Sequence, residues 1–234
     1  MHWLEKFLLP PSCQLCGAAA IDDELCPDCA SKAKVVVSAC PLCALPNDDA
    51  SVCAVCTVTP PVWQQAYSCL VYDGSVQQLM INWKYRRRNS TARLLGETLS
   101  GWLTLQNTKL EATAIIPIPM HPKKLRTRGF NTAYLLAQAI QQSTNLPILD
   151  NALNRIRHTN AQAGLDKAAR HKNLAGAFSV VAENLKGHHH ILLIDDVYTT
   201  GTTLNICSQL LQEAGVKHIT ILTLARALPP DKKC

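Results

Sequence analysis

Aromatic residues are scarce in this 234-residue chain, at 5% of the total. That argues against a nucleic-acid surface assembled from many base-stacking platforms. Long apolar runs are also missing, and none approaches the length of a bilayer crossing, so the chain is not expected to be an integral membrane protein. The opening MHWLEKFLLPP lacks the form of a signal peptide, because Glu5 sits inside it and Pro10 and Pro11 end its apolar run. A cytoplasmic location is therefore expected, with Leu4, Phe7 and Leu8 in a short helix docked on the body. What is present is a 47% hydrophobic composition, enough to bury a core, and a length suited to one α/β domain with a small appendage. The net charge of +6 and a pI near 8.8 permit a polyanionic partner without demanding one.

The most informative stretch is ILLIDDVYTTGTTL, residues 191–204. Ile191 to Ile194 is long enough for a buried strand and too short for most helices. Asp195 and Asp196 follow, then a loop of small and hydroxylated residues, then a helical pattern with Leu204, Cys207, Leu210, Leu211 and Ala214 on one face. Gly215 marks the expected helix end. Backbone N–H groups of Thr199, Thr200, Gly201, Thr202 and Thr203 would face an anion, favoured by the helix dipole. The two carboxylates suit sugar hydroxyls, or Mg²⁺ beside a polyphosphate. This is not a Walker A loop, since no Gly-Lys-Ser/Thr occurs, and one glycine is too few for a dinucleotide fingerprint. The spacing resembles the phosphoribosyl pyrophosphate (PRPP) motif of type I phosphoribosyltransferases. That resemblance implies ribose on Asp195 and Asp196 and a 5′-phosphate held across Val197, Tyr198, Thr199, Thr200, Gly201, Thr202 and Thr203, with Mg²⁺ accompanying PRPP.

Eight of the eleven cysteines form a repeat. Cys13, Cys16, Cys26 and Cys29 make two Cys-x-x-Cys pairs; Cys40, Cys43, Cys53 and Cys56 repeat them 27 residues later. Two such pairs supply a tetrahedral thiolate cage, so two structural Zn²⁺ sites are expected, paired sequentially or cross-braced. Disulfides would need an oxidising compartment. An iron–sulfur cluster or a redox role is the remaining alternative. So few large apolar side chains occupy this segment that metal must supply much of its stability, on the order of 10–16 kcal/mol per site. The domain bounds expected are 1–59 for this module and 62–228 for an α/β domain, with Thr59-Pro60-Pro61 between them.

Between these landmarks lie a strand at Tyr67–Tyr72, a turn at Asp73-Gly74, a helix from Val76 to Trp83 and an amphipathic helix from Thr91 to Leu105. Lys84, Arg86, Arg87 and Arg88 surround Tyr85. They could contact DNA phosphates and stack a base, or form a solvated helix end. A buried strand at Ala114–Pro119 leads into HPKKLRTRGFN, read as a basic loop carrying Lys123, Lys124, Arg126 and Arg128 before Gly129. Such a loop, on the side of the sheet where ligands bind, could neutralise a departing pyrophosphate. Asn131 is placed to cap the next helix. Arg155, Arg157 and Arg170 are further candidate anion ligands, or equally members of surface salt bridges. His188, His189 and His190 read as polar filler before the acidic strand, and His218–Leu224 as the last strand.

The order of these features is similar to the ComF family: four Cys-x-x-Cys pairs, PIPMHPKKLRTRGFN, Arg157-His158-Thr159 with Gln162, Arg170 with Asn173, and the acidic motif. The resemblance implies a type I phosphoribosyltransferase-like parallel sheet flanked by helices, behind a double zinc-ribbon-like module. It further implies a role in DNA uptake or use, with single-stranded DNA, a phosphorylated ribose and DNA-uptake machinery proteins as partners. An active PRPP-dependent transferase with an unknown acceptor, and a PRPP-sensing regulator, are the alternatives. Lys123, Arg126, Arg128, Asp195 and Asp196 would form the working site. Thr132 stands where many relatives carry glutamine, a departure from the family pattern.

Overall fold

A computed structural model describes residues 12–20, 25–86, 89–106, 110–157 and 176–229. The readings placed on Leu4, Phe7 and Leu8, on Arg87 and Arg88, on His158, Thr159 and Gln162, and on Arg170 and Asn173 lie outside the described residues. So does the side chain of Arg86.

The cysteine repeat folds as two copies of one turn-and-helix unit. Each copy ends in a short helix, α1 (Pro27–Ser31) or α2 (Ala54–Val58). Cys26 and Cys53 occupy the N-cap positions with extended backbone, which brings each of them toward the cysteine three residues on. Then come β1 (Gln65–Val71), α3 (Gly74–Arg86), α4 (Asn89–Leu105), β2 (Ala114–Pro117), α5 (Pro122–Arg128) and α6 (Thr132–Thr144). The chain continues through β3 (Leu153–Arg155), β4 (Phe178–Val180), a 3₁₀ turn at Ala182–Leu185, β5 (His190–Tyr198), α7 (Thr202–Glu213) and β6 (His218–Arg226).

Four strands form a parallel sheet in the order β1-β6-β5-β2, and β3 pairs with β4 in a separate antiparallel ribbon. The central strands are apolar on both faces, as a sheet covered on each side requires. Along β5, Ile191 and Leu193 enter one core cluster with Leu204, Cys207 and Leu211 of α7; Leu192 and Ile194 enter the other with Leu95 and Leu99 of α4 and Leu136 and Ile140 of α6. Each such side chain, once buried, contributes about 1.5–3 kcal/mol. α4 and α6 approach closely because Gly96 has no side chain: a Cβ there would lie 2.8 Å from the Ala139 Cβ.

Both rims of the sheet are covered. Beside β1, the segment after the first cysteine set donates Val36 N–H to the Cys69 carbonyl and accepts at Lys34 O from Val71; Pro41 O accepts from Ala66. Beside β2, Ile115 donates to Pro147 O and accepts from Leu149.

Two expectations are corrected. The acidic strand does not stop at Ile194. Its pairing with β6 continues from Asp195↔Thr223 to Tyr198↔Arg226, so both acids lie within β5. Neighbouring strand residues point to opposite faces, which aims Asp195 toward the Leu193 side and Asp196 toward the Ile194 side. Likewise, the basic stretch after β2 is a helix rather than a loop. Pro122 opens α5, His121 Nδ1 accepts from the Lys123 N–H, and Gly129 closes it in a left-handed conformation at φ 90°.

Candidate functional site

β2, β5 and the loop after β5 open into a cleft of about 520 Å³ at the carboxyl end of the sheet. This is where parallel α/β sheets place their ligands. The floor is Asp195 and Asp196; one wall is the loop Thr199–Gly201 with the first turn of α7. Gly201 stands at the N-cap with φ 75°, where it offers no side-chain acceptor to the first helical N–H groups. Any side chain there would also collide with Tyr198, since a Cβ would lie 2.8 Å from its ring. Tyr198 is buried beneath the loop and supports it from below.

Four cationic side chains line the same cleft: Lys84 from α3, Lys124 and Arg128 from α5, and Arg155 from β3. The acidic pair is outnumbered, so the cleft suits a ligand of several negative charges. Lys124 and Arg128 meet there because a spacing of four residues places both on one face of α5. Lys123 and Arg126 fall on other faces of that helix and do not line the cleft.

The two carboxylates differ in character. Burial, reinforced by the Asp196 charge, raises Asp195 to about 7 against the pull of the Asp196 N–H, Lys84 and Arg155. Burial also pushes Asp196 upward. There, however, the Lys84 ammonium at 2.8 Å and the Thr132 hydroxyl donating at 2.6 Å prevail, holding it below the usual carboxylate range. The reciprocal effect keeps Lys84 above its ordinary value although burial opposes its charge. Burial, with Arg128, Arg155 and Lys84 nearby, lowers Lys124; burial lowers Arg155. One acid is thus a fixed anion, while its neighbour can exchange a proton near neutrality, an asymmetry that lets a pair both accept and donate to hydroxyls.

Lys84 was expected among cations tracking a DNA backbone. The structure places it inside the cleft, with its charge engaged by Asp196. Tyr85, its neighbour in the basic run, is exposed. Thr132 fills its departure from the expected glutamine by bonding Asp196 directly. Tyr72 and Gln77 also line the cleft and had no sequence signal.

Each cysteine set gathers to a point, Cys13, Cys16, Cys26 and Cys29 in one cage and Cys40, Cys43, Cys53 and Cys56 in the other, with all sulfurs of a cage within 4.8 Å. The pairing is therefore sequential. Cys16 and Cys26 sulfurs lie 3.7 Å apart, as do those of Cys43 and Cys53. A tetrahedron of sulfurs about 2.3 Å from zinc has edges of roughly 3.8 Å, so the cages fit that ion. Their protonation is uneven: backbone N–H groups outweigh burial and lower Cys13 to about 6, whereas burial and neighbouring sulfurs push Cys29 up to about 12. A dication would relieve that competition.

Comparison with known proteins agrees with this geometry. Residues 4–57 match the double zinc ribbon domain, and residues 125–233 match the phosphoribosyl transferase domain. The chain is 34% identical over 180 residues to competence protein F of Haemophilus influenzae, covering 75% of this chain and 78% of that protein. It is 30% identical over 226 residues to the DNA utilization protein YhgH of Salmonella typhimurium, covering 94% and 99%. It is 26% identical over 233 residues to competence protein ComFC of Bacillus subtilis, covering 96% and 89%. A type I phosphoribosyltransferase fold behind a double zinc ribbon, with these relatives along most of its length, means that the chain belongs to the ComF family of competence and DNA-utilisation proteins.

Proposed function

We propose that the cleft binds a phosphorylated ribose such as PRPP with Mg²⁺, and that the protein serves DNA uptake or use in the cytoplasm. The observation that carries the ligand is the juxtaposition of two half-buried acids with four cations and an uncapped helix start. The 5′-phosphate lies on the amides and hydroxyls of Thr199–Thr203. The ribose hydroxyls meet Asp195 and Asp196. Lys124 and Arg128 face the pyrophosphate, and Mg²⁺ enters with it. Calorimetry with PRPP and Mg²⁺ tests this: wild-type protein gives a saturable heat, and Asp195→Asn/Asp196→Asn removes it. No heat from the wild type ends the proposal.

For DNA, Arg86, Arg87 and Arg88 are the proposed single-strand contacts, supported by their clustering and by the DNA-related relatives. The zinc ribbon would lie along the same strand, and DNA-uptake proteins are the proposed partners. Neutralising the three arginines should reduce the slope of log affinity against log salt by about 2. An unchanged slope removes them from the interface.

A second reading is turnover. Lys124 and Arg128 stand where a leaving pyrophosphate would need neutralising, which supports attack at C1 by an acceptor amine or base nitrogen. Pyrophosphate release in a panel of acceptors, lost in Lys124→Ala/Arg128→Ala, separates an enzyme from a ligand-responsive regulator.

A further inference from the structure

Arg226, at the end of β6, is buried although it carries a permanent charge. Its guanidinium donates to neutral carbonyls in two stretches distant in sequence and to that of its neighbour Ala227. Nε donates to the Cys43 carbonyl at 2.8 Å, inside the second cage. Nη1 donates to the carbonyls of Tyr198 at 2.9 Å, Thr199 at 2.8 Å and Ala227 at 2.7 Å. Its guanidinium lies 4.0 Å from the centre of the Tyr198 ring, within cation–π range. A second tie runs parallel to it. Trp63 Nε1 donates to the Leu42 carbonyl at 2.6 Å, and its ring meets the Tyr198 ring edge-on at 6.0 Å.

Both ties join the Cys40–Cys43 knuckle to Tyr198–Thr199, where β5 turns into the phosphate loop. The knuckle's backbone follows its sulfurs, which are fixed when a metal holds them. If the knuckle relaxes, Arg226 loses an acceptor while remaining charged and buried, and a lost partner there is costly. Its remaining acceptors are the carbonyls beneath the phosphate loop.

We infer that Arg226 is a positioning residue that couples the Cys40–Cys56 cage to the loop Thr199–Thr203: metal in that cage holds the loop ready for ligand, and ligand on the loop holds the metal. This rests on the phosphorylated-ribose reading of the cleft. Thermodynamic linkage makes the effect reciprocal. Both ties start from the Cys40–Cys43 knuckle, so the Cys13–Cys29 cage serves as an internal control.

The test uses the full-length zinc-loaded protein and a chromogenic zinc chelator, with and without saturating PRPP and Mg²⁺. PRPP should slow zinc loss from the second cage about tenfold and leave the first unchanged. A Cys13→Ser/Cys16→Ser chain assigns the phases. Arg226→Met should abolish the protection, and Arg226→Lys should restore part of it. If PRPP binds by calorimetry yet both cages release zinc at rates independent of it, the coupling is wrong. If PRPP does not bind, the ligand reading fails, and hydrogen exchange decides the coupling separately. Removing zinc from the second cage should speed exchange of the 199–204 amides, whereas removing it from the first should not. Unaltered exchange overturns the inference. The wild-type measurements stand even if Arg226→Met fails to fold.

Discussion

The two cysteine cages share sequence spacing and sulfur geometry but not surroundings. The first packs in a small cluster of its own with Leu15, Ala20 and Leu25. Its main polar anchor is Gln14, whose amide donates to Ser90 Oγ and accepts from the Thr91 hydroxyl at the start of α4. The second contributes Cys40, Cys43 and Cys56 to the same core as Trp63, Tyr198, Leu204 and Cys207. The first cage thus reaches the body through Gln14 and through Leu15 and Leu25 against the other core, while the second packs directly beneath the loop Thr199–Gly201. Duplication copied the coordination, and packing then set the copies in different surroundings.

The largest expected effect comes from opening each cage in turn. Cys40→Ser/Cys43→Ser should unfold the body or drop its melting transition severely, since a structural metal is worth on the order of 10–16 kcal/mol, comparable to a whole domain's stability. Cys13→Ser/Cys16→Ser should leave that transition and PRPP affinity near wild type. Circular dichroism melts and calorimetry read both, and equal behaviour would break the comparison. Next, Trp63→Ala should cost about 3–5 kcal/mol in denaturant unfolding, because it empties a buried ring's space and frees the Leu42 carbonyl. Gln14→Ala, at the first cage's anchor, should cost about 1–3 kcal/mol and spare the ligand site.

The smallest effect is a titration. Asp195 is raised to about 7 in the fold, so between its unfolded value and about 7 the folded protein keeps a proton the unfolded chain has released. The associated stability is present at low pH and declines as pH rises through about 7. Ligand affinity that needs the anion runs the opposite way, rising up to about tenfold per pH unit below 7. That slope should persist without the first cage and flatten in Asp195→Asn, which also separates it from ionisation of the ligand.

Residues adjacent in sequence carried most of what could be read before the structure. β5, its Gly/Thr loop and α7 form one local unit, and Cys-x-x-Cys pairs announce their own geometry. What stayed hidden was contact between distant segments. Lys84 sits in a run of cations, and only the packing of α3 against the sheet turns it toward Asp196 rather than outward. Thr132 gives no sign in sequence of its bond to Asp196, because that reach depends on where α6 begins. Arg226 carries no signal in the sequence, lying two residues past the strand read over His218–Leu224, whereas β6 runs on to include it. The helix α5 reads as a loop in sequence because its basic residues mask good caps at His121 and Gly129.

The strip of chain from Lys34 to Pro41 lies along β1 and occupies backbone groups that an outer strand would otherwise leave open. A protein trimmed to begin at residue 62 would therefore lose the second cage's support and also bare this rim to its own copies. Such rims recruit further strands, so the trimmed form should self-associate and precipitate. Adding back the ribbon as a separate zinc-loaded polypeptide should restore a soluble particle. The amino-terminal module thereby closes the sheet's open side, besides whatever it binds.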